Sequence, residues 1–145
     1  MTPTLVFDLE TIPDAEGLRR LHPEWGPGMS DTDVIEAALA ARRETHGNDF
    51  LPLHLHKVAV VGCVFRDDNG FRVKTLGAAD DPEPALLNGF FKTIERYTPR
   101  LVSWNGSGFD LPVLHYRSLI HGVQAPRYWD MGEDDRDFKF NNYIR

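Results

Sequence analysis

Apolar positions in this chain fall into short runs and spaced sets, and each predicts an element. "LVFDL", Leu5–Leu9, has the length and apolar lead-in of a buried strand. Thr11 to Gly28 is interrupted by Pro13, Pro23, Gly26 and Pro27 and reads as irregular. "SDTDVIEAALAARRETHG" then reads as a helix, with Ser30 as its cap, Asp33 as a short capping-box acid and Gly47 as its end. "KVAVVGCVF", Lys57–Phe65, is apolar enough for a strand buried on both faces. "DDNG", Asp67–Gly70, is a hairpin turn, and "FRVKTLG" alternates as its half-exposed partner strand. "PEPALLNGFFKTIERY" sets Leu86, Leu87, Phe90, Phe91 and Ile94 at helical spacing. "RLVSW" is a short strand that carries Trp104 into the core, and "FDLPVLHYRSLIHG" is a helix ended by Gly122. The remainder, "VQAPRYWDMGEDDRDFKFNNYIR", is polar and has no clear period. The predicted order is a strand, an insert with a helix, a hairpin, a helix, a strand, a helix and a tail.

Composition narrows this picture. At 145 residues, 41% of them hydrophobic, the chain is expected to form one folded domain, 1–145, with a real core. No apolar run approaches the ~20 residues that a bilayer span needs. No basic segment followed by an apolar stretch opens the chain, so a cytoplasmic protein is expected, without a membrane partner. Cys63, the only cysteine, lies in an apolar run and is expected as a buried thiol. The formal charge of −6 argues against broad attraction to nucleic acid, although a local patch or a bound cation reverses the field near a site.

Two places carry candidate chemistry. Asp8 and Glu10 stand two apart on the first strand, so they share a face. Like charges side by side raise each other's proton affinity. Either the strand end reaches solvent there, or a hard cation such as Mg²⁺ or Mn²⁺ lies between the carboxylates. The second place is "NGSGFD". Asn105-Gly106-Ser107-Gly108 lets the backbone turn sharply, and Asp110 opens a helix two residues ahead of Pro112. Asp110 is either a carboxylate favoured by the helix dipole or a third acid near a strand's C-terminal end, where ligands gather in α/β sheets.

"FDLETIPD", "FLPLHLHKVAVVG" and "NGSGFDLPVLHYRSLIHGV" together resemble the DEDD superfamily of 3′–5′ exonucleases. The surrounding sequence is most similar to predicted exonucleases related to the proofreading domain of family B DNA polymerases. The resemblance implies an α/β, ribonuclease H-like mixed sheet with flanking helices. It also implies a two-metal mechanism with Mg²⁺ or Mn²⁺ as cofactor, and the 3′ end of single-stranded DNA or RNA as partner. Asp8, Glu10 and Asp110 would be the catalytic and metal-binding acids. Thr11, Asn105 and Phe109 would contact substrate. The family's fourth acid, and the Tyr or His beside it, have no counterpart, since Tyr143 is followed only by Ile144 and Arg145. The domain is therefore expected to be incomplete at its C-terminus, lacking its final helices, and weakly active or inactive as it stands. Asp130, Asp134, Asp135 and Asp137 read as a solvated loop.

Other features have plainer readings. His54 and His56 lack the further ligands that zinc requires. His115 and Arg117, and likewise Lys92, Arg96 and Arg100, read as solvated helix faces. Besides the exonuclease, two readings of function stay open. One is a non-catalytic nucleic-acid or protein interaction module on the same fold. The other is a different phosphodiester or phosphate enzyme on a similar carboxylate site.

Overall fold

The structure, a computed structural model, describes residues 2–78 and 80–130. Its contacts divide the chain into two compact units, one of residues up to Glu10 together with those from Val58 on, the other Thr11–Lys57.

The first unit is built on a mixed sheet. Its strands are β1 (Thr4–Pro13), β2 (His56–Asp67), β3 (Gly70–Leu76) and β4 (Arg100–Val102), in the order β3-β2-β1-β4. β2 and β3 pair antiparallel, with Val64 opposite Val73 and Asp67 opposite Gly70. The two-residue turn Asp68-Asn69 closes this hairpin, and Asn69 N–H donates to the Asp67 carboxylate at 2.9 Å. β4 lies parallel to β1, with Leu5 opposite Leu101 and Val6 opposite Val102. That parallel pairing needs a crossover, and α3 (Glu83–Tyr97) lies in it.

Alternation along the strands decides which face α3 covers. Leu5, Phe7 and Leu9 of β1 and Val61, Cys63 and Phe65 of β2 are buried, as are Leu86, Leu87, Phe90, Phe91 and Ile94 of α3. The Phe7 and Phe90 rings meet at 4.9 Å and those of Phe65 and Tyr97 at 4.8 Å. Each such buried side chain contributes about 1.5–3 kcal/mol relative to exposure. Beyond Val58, which is also buried, β2 is covered on this face: Val60 is exposed, and Val73 and Phe71 of β3 are about 70% exposed (71% and 72%). The expectation of a strand buried on both faces is corrected accordingly. α4 (Asp110–His121) ends at Gly122, whose φ of 64° suits a residue without a Cβ. A short α5 (Pro126–Trp129), absent from the sequence reading, buries Tyr128 against Phe91.

The second unit holds α1 (Ala15–Leu21) and α2 (Asp31–His46). Leu18, Val34, Ala38, Leu51 and Leu55 form its core. α2 has the expected capping box, in which Ser30 Oγ accepts from Asp33 N–H and the Asp33 carboxylate accepts from Ser30 N–H. α1 replaces part of the irregular segment. Asp14 caps it by accepting from Gly17 N–H at 3.1 Å, a signal hidden between Pro13 and Pro23.

Candidate active site

The alternation that buries Leu5, Phe7 and Leu9 turns Asp8 and Glu10 to the opposite face, where both are exposed. Asp110 reaches this segment from 101 residues away. It is only 3% exposed, and its Oδ1 accepts a hydrogen bond from the backbone N–H of Leu9 at 3.2 Å. The first residue of α4 is thereby tied to the peptide between the two β1 acids. Burial pushes the Asp110 carboxyl above the usual carboxylate range, and the Asp8 carboxylate pushes the same way. Backbone N–H bonds, including that from Leu9, oppose this without offsetting it.

A tight loop presents Asp110. β4 stops at Val102, and Asn105 takes a left-handed φ of 53°. The Asn105 carbonyl accepts from Gly108 N–H at 2.9 Å and from Phe109 N–H at 3.1 Å, and the Gly106 carbonyl accepts from Leu111 N–H at 2.8 Å. Two glycines make this winding feasible. A Cβ on Gly106 would sit 1.7 Å from Ser103 Oγ, and one on Gly108 would sit 2.5 Å from Asn105 Oδ1. Asn105 is exposed and Phe109 half-buried. Trp104, expected in the core, is 91% exposed. β4 ends two residues before it, at Val102, so the strand does not carry the ring under α3.

Thr11 belongs to the other unit. Its Oγ1 lies 3.1 Å from His56 Nδ1, while His56 Nε2 lies 3.1 Å from the Leu51 carbonyl. That carbonyl only accepts, so Nε2 carries the proton, and in the neutral ring Nδ1 accepts from Thr11. Burial keeps the ring's pKa below its ordinary value, against the pull of the Leu51 carbonyl. His56 is thus a structural histidine.

Arg117 corrects a second expectation. It is 2% exposed and forms a two-pronged pair with Glu83, Nε to Oε1 at 2.8 Å and Nη2 to Oε2 at 2.6 Å. Glu83, itself 4% exposed, also accepts from Val58 N–H at 2.7 Å and pairs with His121 Nε2 at 2.6 Å. The network fastens α4 to α3 and β2, which fixes the helix whose first residue is Asp110. His115 is also drawn inward, its ring 5.0 Å from that of Tyr128, and burial lowers its pKa. Sequence offered no sign of these partners, because Glu83 and Arg117 stand 34 residues apart.

The donor set of Asp8, Glu10 and Asp110, carboxylate oxygen throughout, fits a hard divalent cation. Burial is the main cause of Asp110's raised proton affinity, and the Asp8 charge adds a smaller repulsion that a cation would relieve. Their spacing does not close a coordination shell: among the described residues, no three His, Cys, Asp or Glu side chains stand together so as to hold a metal ion. Asp134, Asp135, Asp137 and Tyr143 lie outside the described residues. Among the described residues no helix is long and apolar enough to cross a membrane.

A search of curated proteins found none similar to the chain. Residues 48–145 match a family described as predicted 3′–5′ exonucleases related to the exonuclease domain of PolB. The match takes in Asp110 and its loop, while Asp8 and Glu10 lie ahead of it. The mixed sheet with its crossover helix agrees with the ribonuclease H-like fold of such exonucleases. On the strength of a match over most of its length, the chain belongs to this family of predicted 3′–5′ exonucleases related to the PolB exonuclease domain.

Proposed function

We propose that this chain carries the site of a metal-dependent 3′–5′ exonuclease that removes nucleotides from single-stranded or fraying 3′ ends, its own activity being weak. The observation that carries the reading is the bond from Leu9 N–H to Asp110 Oδ1, because it joins the acid of the family-matched segment to the Asp8–Glu10 pair. In this reading Asp8, Glu10 and Asp110 would hold Mg²⁺ or Mn²⁺. When bound, such ions would supply Lewis-acid stabilisation of the phosphoryl group and favour ionisation of a water nucleophile. Asp8 and Glu10 stand exposed, so an incoming phosphodiester reaches them without moving the fold. Asp110 is held by its buried bond and supplies a fixed edge to the site. Asn105 offers polar atoms to the strand, and Phe109 an apolar surface to a terminal base.

A second reading, a non-catalytic nucleic-acid or protein interaction module, is favoured by the lack of a grouped three-acid centre among the described residues. One assay separates the two. A single strand labelled at its 5′ end is incubated with Mg²⁺ or Mn²⁺, and separately with EDTA. The exonuclease yields a ladder shortened from the 3′ end that disappears with EDTA and in Asp8→Asn. Binding without any shortening, under every metal condition, would favour the module.

A further inference from the structure

Among the described residues, Trp104 is the most exposed large apolar side chain, at 91%. An indole gains free energy from burial, so one held in water on a fixed backbone forgoes that gain unless something else covers it. The backbone beneath Trp104 is fixed. Asn105, the next residue, accepts two backbone hydrogen bonds, and the Gly106 carbonyl accepts a third. The chain path shows where the residue stands. Val102, the last residue of β4, lies opposite Val6, two residues before Asp8, and Trp104 follows in the loop that leaves this strand end. That loop runs on for six residues to Asp110. A large flat apolar surface therefore stands on the loop that carries Asp110, at the strand end next to Asp8.

Charge explains why such a surface is useful there. The chain carries −6, so away from any bound cation the phosphates of an incoming strand meet no general attraction. Stacking needs no charge and tolerates any base, because every base has a π-face. We propose that Trp104 is a stacking platform for a base at or next to the 3′ end of a single strand, holding that end beside Asp8 and Asp110. This rests on the exonuclease reading and adds to it a residue that recognises bases rather than phosphates.

The test uses the intact chain, Trp104→Leu and Trp104→Phe. Because the ring is exposed, neither substitution opens a cavity, and circular dichroism confirms that each variant is folded. Binding of a fluorescein-labelled oligodeoxythymidylate is measured with Ca²⁺ in place of Mg²⁺, and KM and kcat for nucleotide release are measured with Mn²⁺. Trp104→Leu is expected to weaken binding and raise KM roughly 5- to 100-fold, with kcat changed much less. Trp104→Phe, which keeps a ring, should stay close to the parent. An oligonucleotide whose last two 3′ nucleotides are abasic should bind the parent and Trp104→Leu alike. The proposal is overturned if Trp104→Leu keeps the parent's KM and affinity, or if it loses as much on the abasic strand. Those results with an active parent leave the exonuclease reading standing. A parent that neither binds nor shortens the strand removes both.

Discussion

Two carboxylates in the first unit are almost equally buried, Glu83 at 4% exposure and Asp110 at 3%, and their proton affinities move in opposite directions. Burial pushes both up. At Glu83 the two hydrogen bonds from Arg117, the Val58 N–H and His121 outweigh it, so the carboxyl is held below its ordinary range. At Asp110 burial wins, and the Asp8 charge adds to it. The difference is one of closure. Glu83 has spent its acceptor capacity within the protein and leaves nothing for a ligand. Asp110 sits beside another acid, and among the described residues no basic side chain pairs with it. A buried carboxylate of that kind is suited to receive a cation, and a buried carboxylate like Glu83 is suited to hold elements together.

The largest expected effect follows from assigning function to the Asp110 side only. Asp8→Asn and Asp110→Asn should each lower nucleotide release by ~10²–10⁴, taking the scale of a lost catalytic group for a lost metal ligand. Glu83→Gln, assayed at a temperature where it is folded, should keep activity per folded molecule within a few-fold of the parent. Release from a 3′-ended single strand with Mn²⁺ measures all three. Equal losses in all three would erase the distinction.

Stability should show the reverse order. Glu83→Ala leaves the buried Arg117 guanidinium without its carboxylate, and breaking a buried pair in this way costs about 3–5 kcal/mol. Urea unfolding reads it directly. Joint replacement, Glu83→Met with Arg117→Leu, should recover much of that loss, because no orphan charge remains. A double variant no more stable than Glu83→Ala would show that the hydrogen bonds to Val58 and His121 matter more than the ion pair.

The same pair sets a pH dependence. Glu83's folded pKa lies below its ordinary value of 4.5, so the unfolded chain takes up a proton first as pH falls. Its contribution is complete above about pH 4.5 and is lost as pH drops through the folded pKa. Stability measured by urea midpoint should therefore fall on acidification below that point. Glu83→Gln, which cannot titrate, should flatten this part of the curve. An unchanged slope in that variant would assign the acid transition to other carboxylates.

The two sides of the comparison were unequally legible in the sequence. Asp8, Glu10 and Asp110 are readable because local pattern carries them: alternation on a strand, a glycine-rich turn and a helix start. α2 is readable for the same reason, since its cap and its Gly47 terminus are neighbours of the helix. The Glu83–Arg117 network is not, because its members come from β2, from the start of α3 and from the second half of α4. Arg117 at helical spacing looks like any solvated arginine until Glu83 is brought to it. The exposure of Trp104 is not legible either, because "RLVSW" suggests five residues of strand, whereas pairing stops at Val102 and the ring is left in solvent.

The smallest effect is the one that tests the Asp110 side most closely. In EDTA, Asp110→Asn removes a carboxylate that burial and Asp8 both disfavour in its charged form, while its side-chain oxygen can still accept from Leu9 N–H. A raised folded pKa makes the ionised group a cost at neutral pH, so removing the charge should leave stability unchanged or raise it slightly. Divalent ion should then separate parent from variant. A ligand that binds only the folded state at ten times its Kd stabilises by about 1.4 kcal/mol. The parent should gain that from Mn²⁺ at such a concentration, and Asp110→Asn should gain little. Urea midpoints with and without Mn²⁺ give both numbers. A clear loss of stability for Asp110→Asn in EDTA would mean that its carboxylate is structural after all, a second Glu83 rather than its opposite.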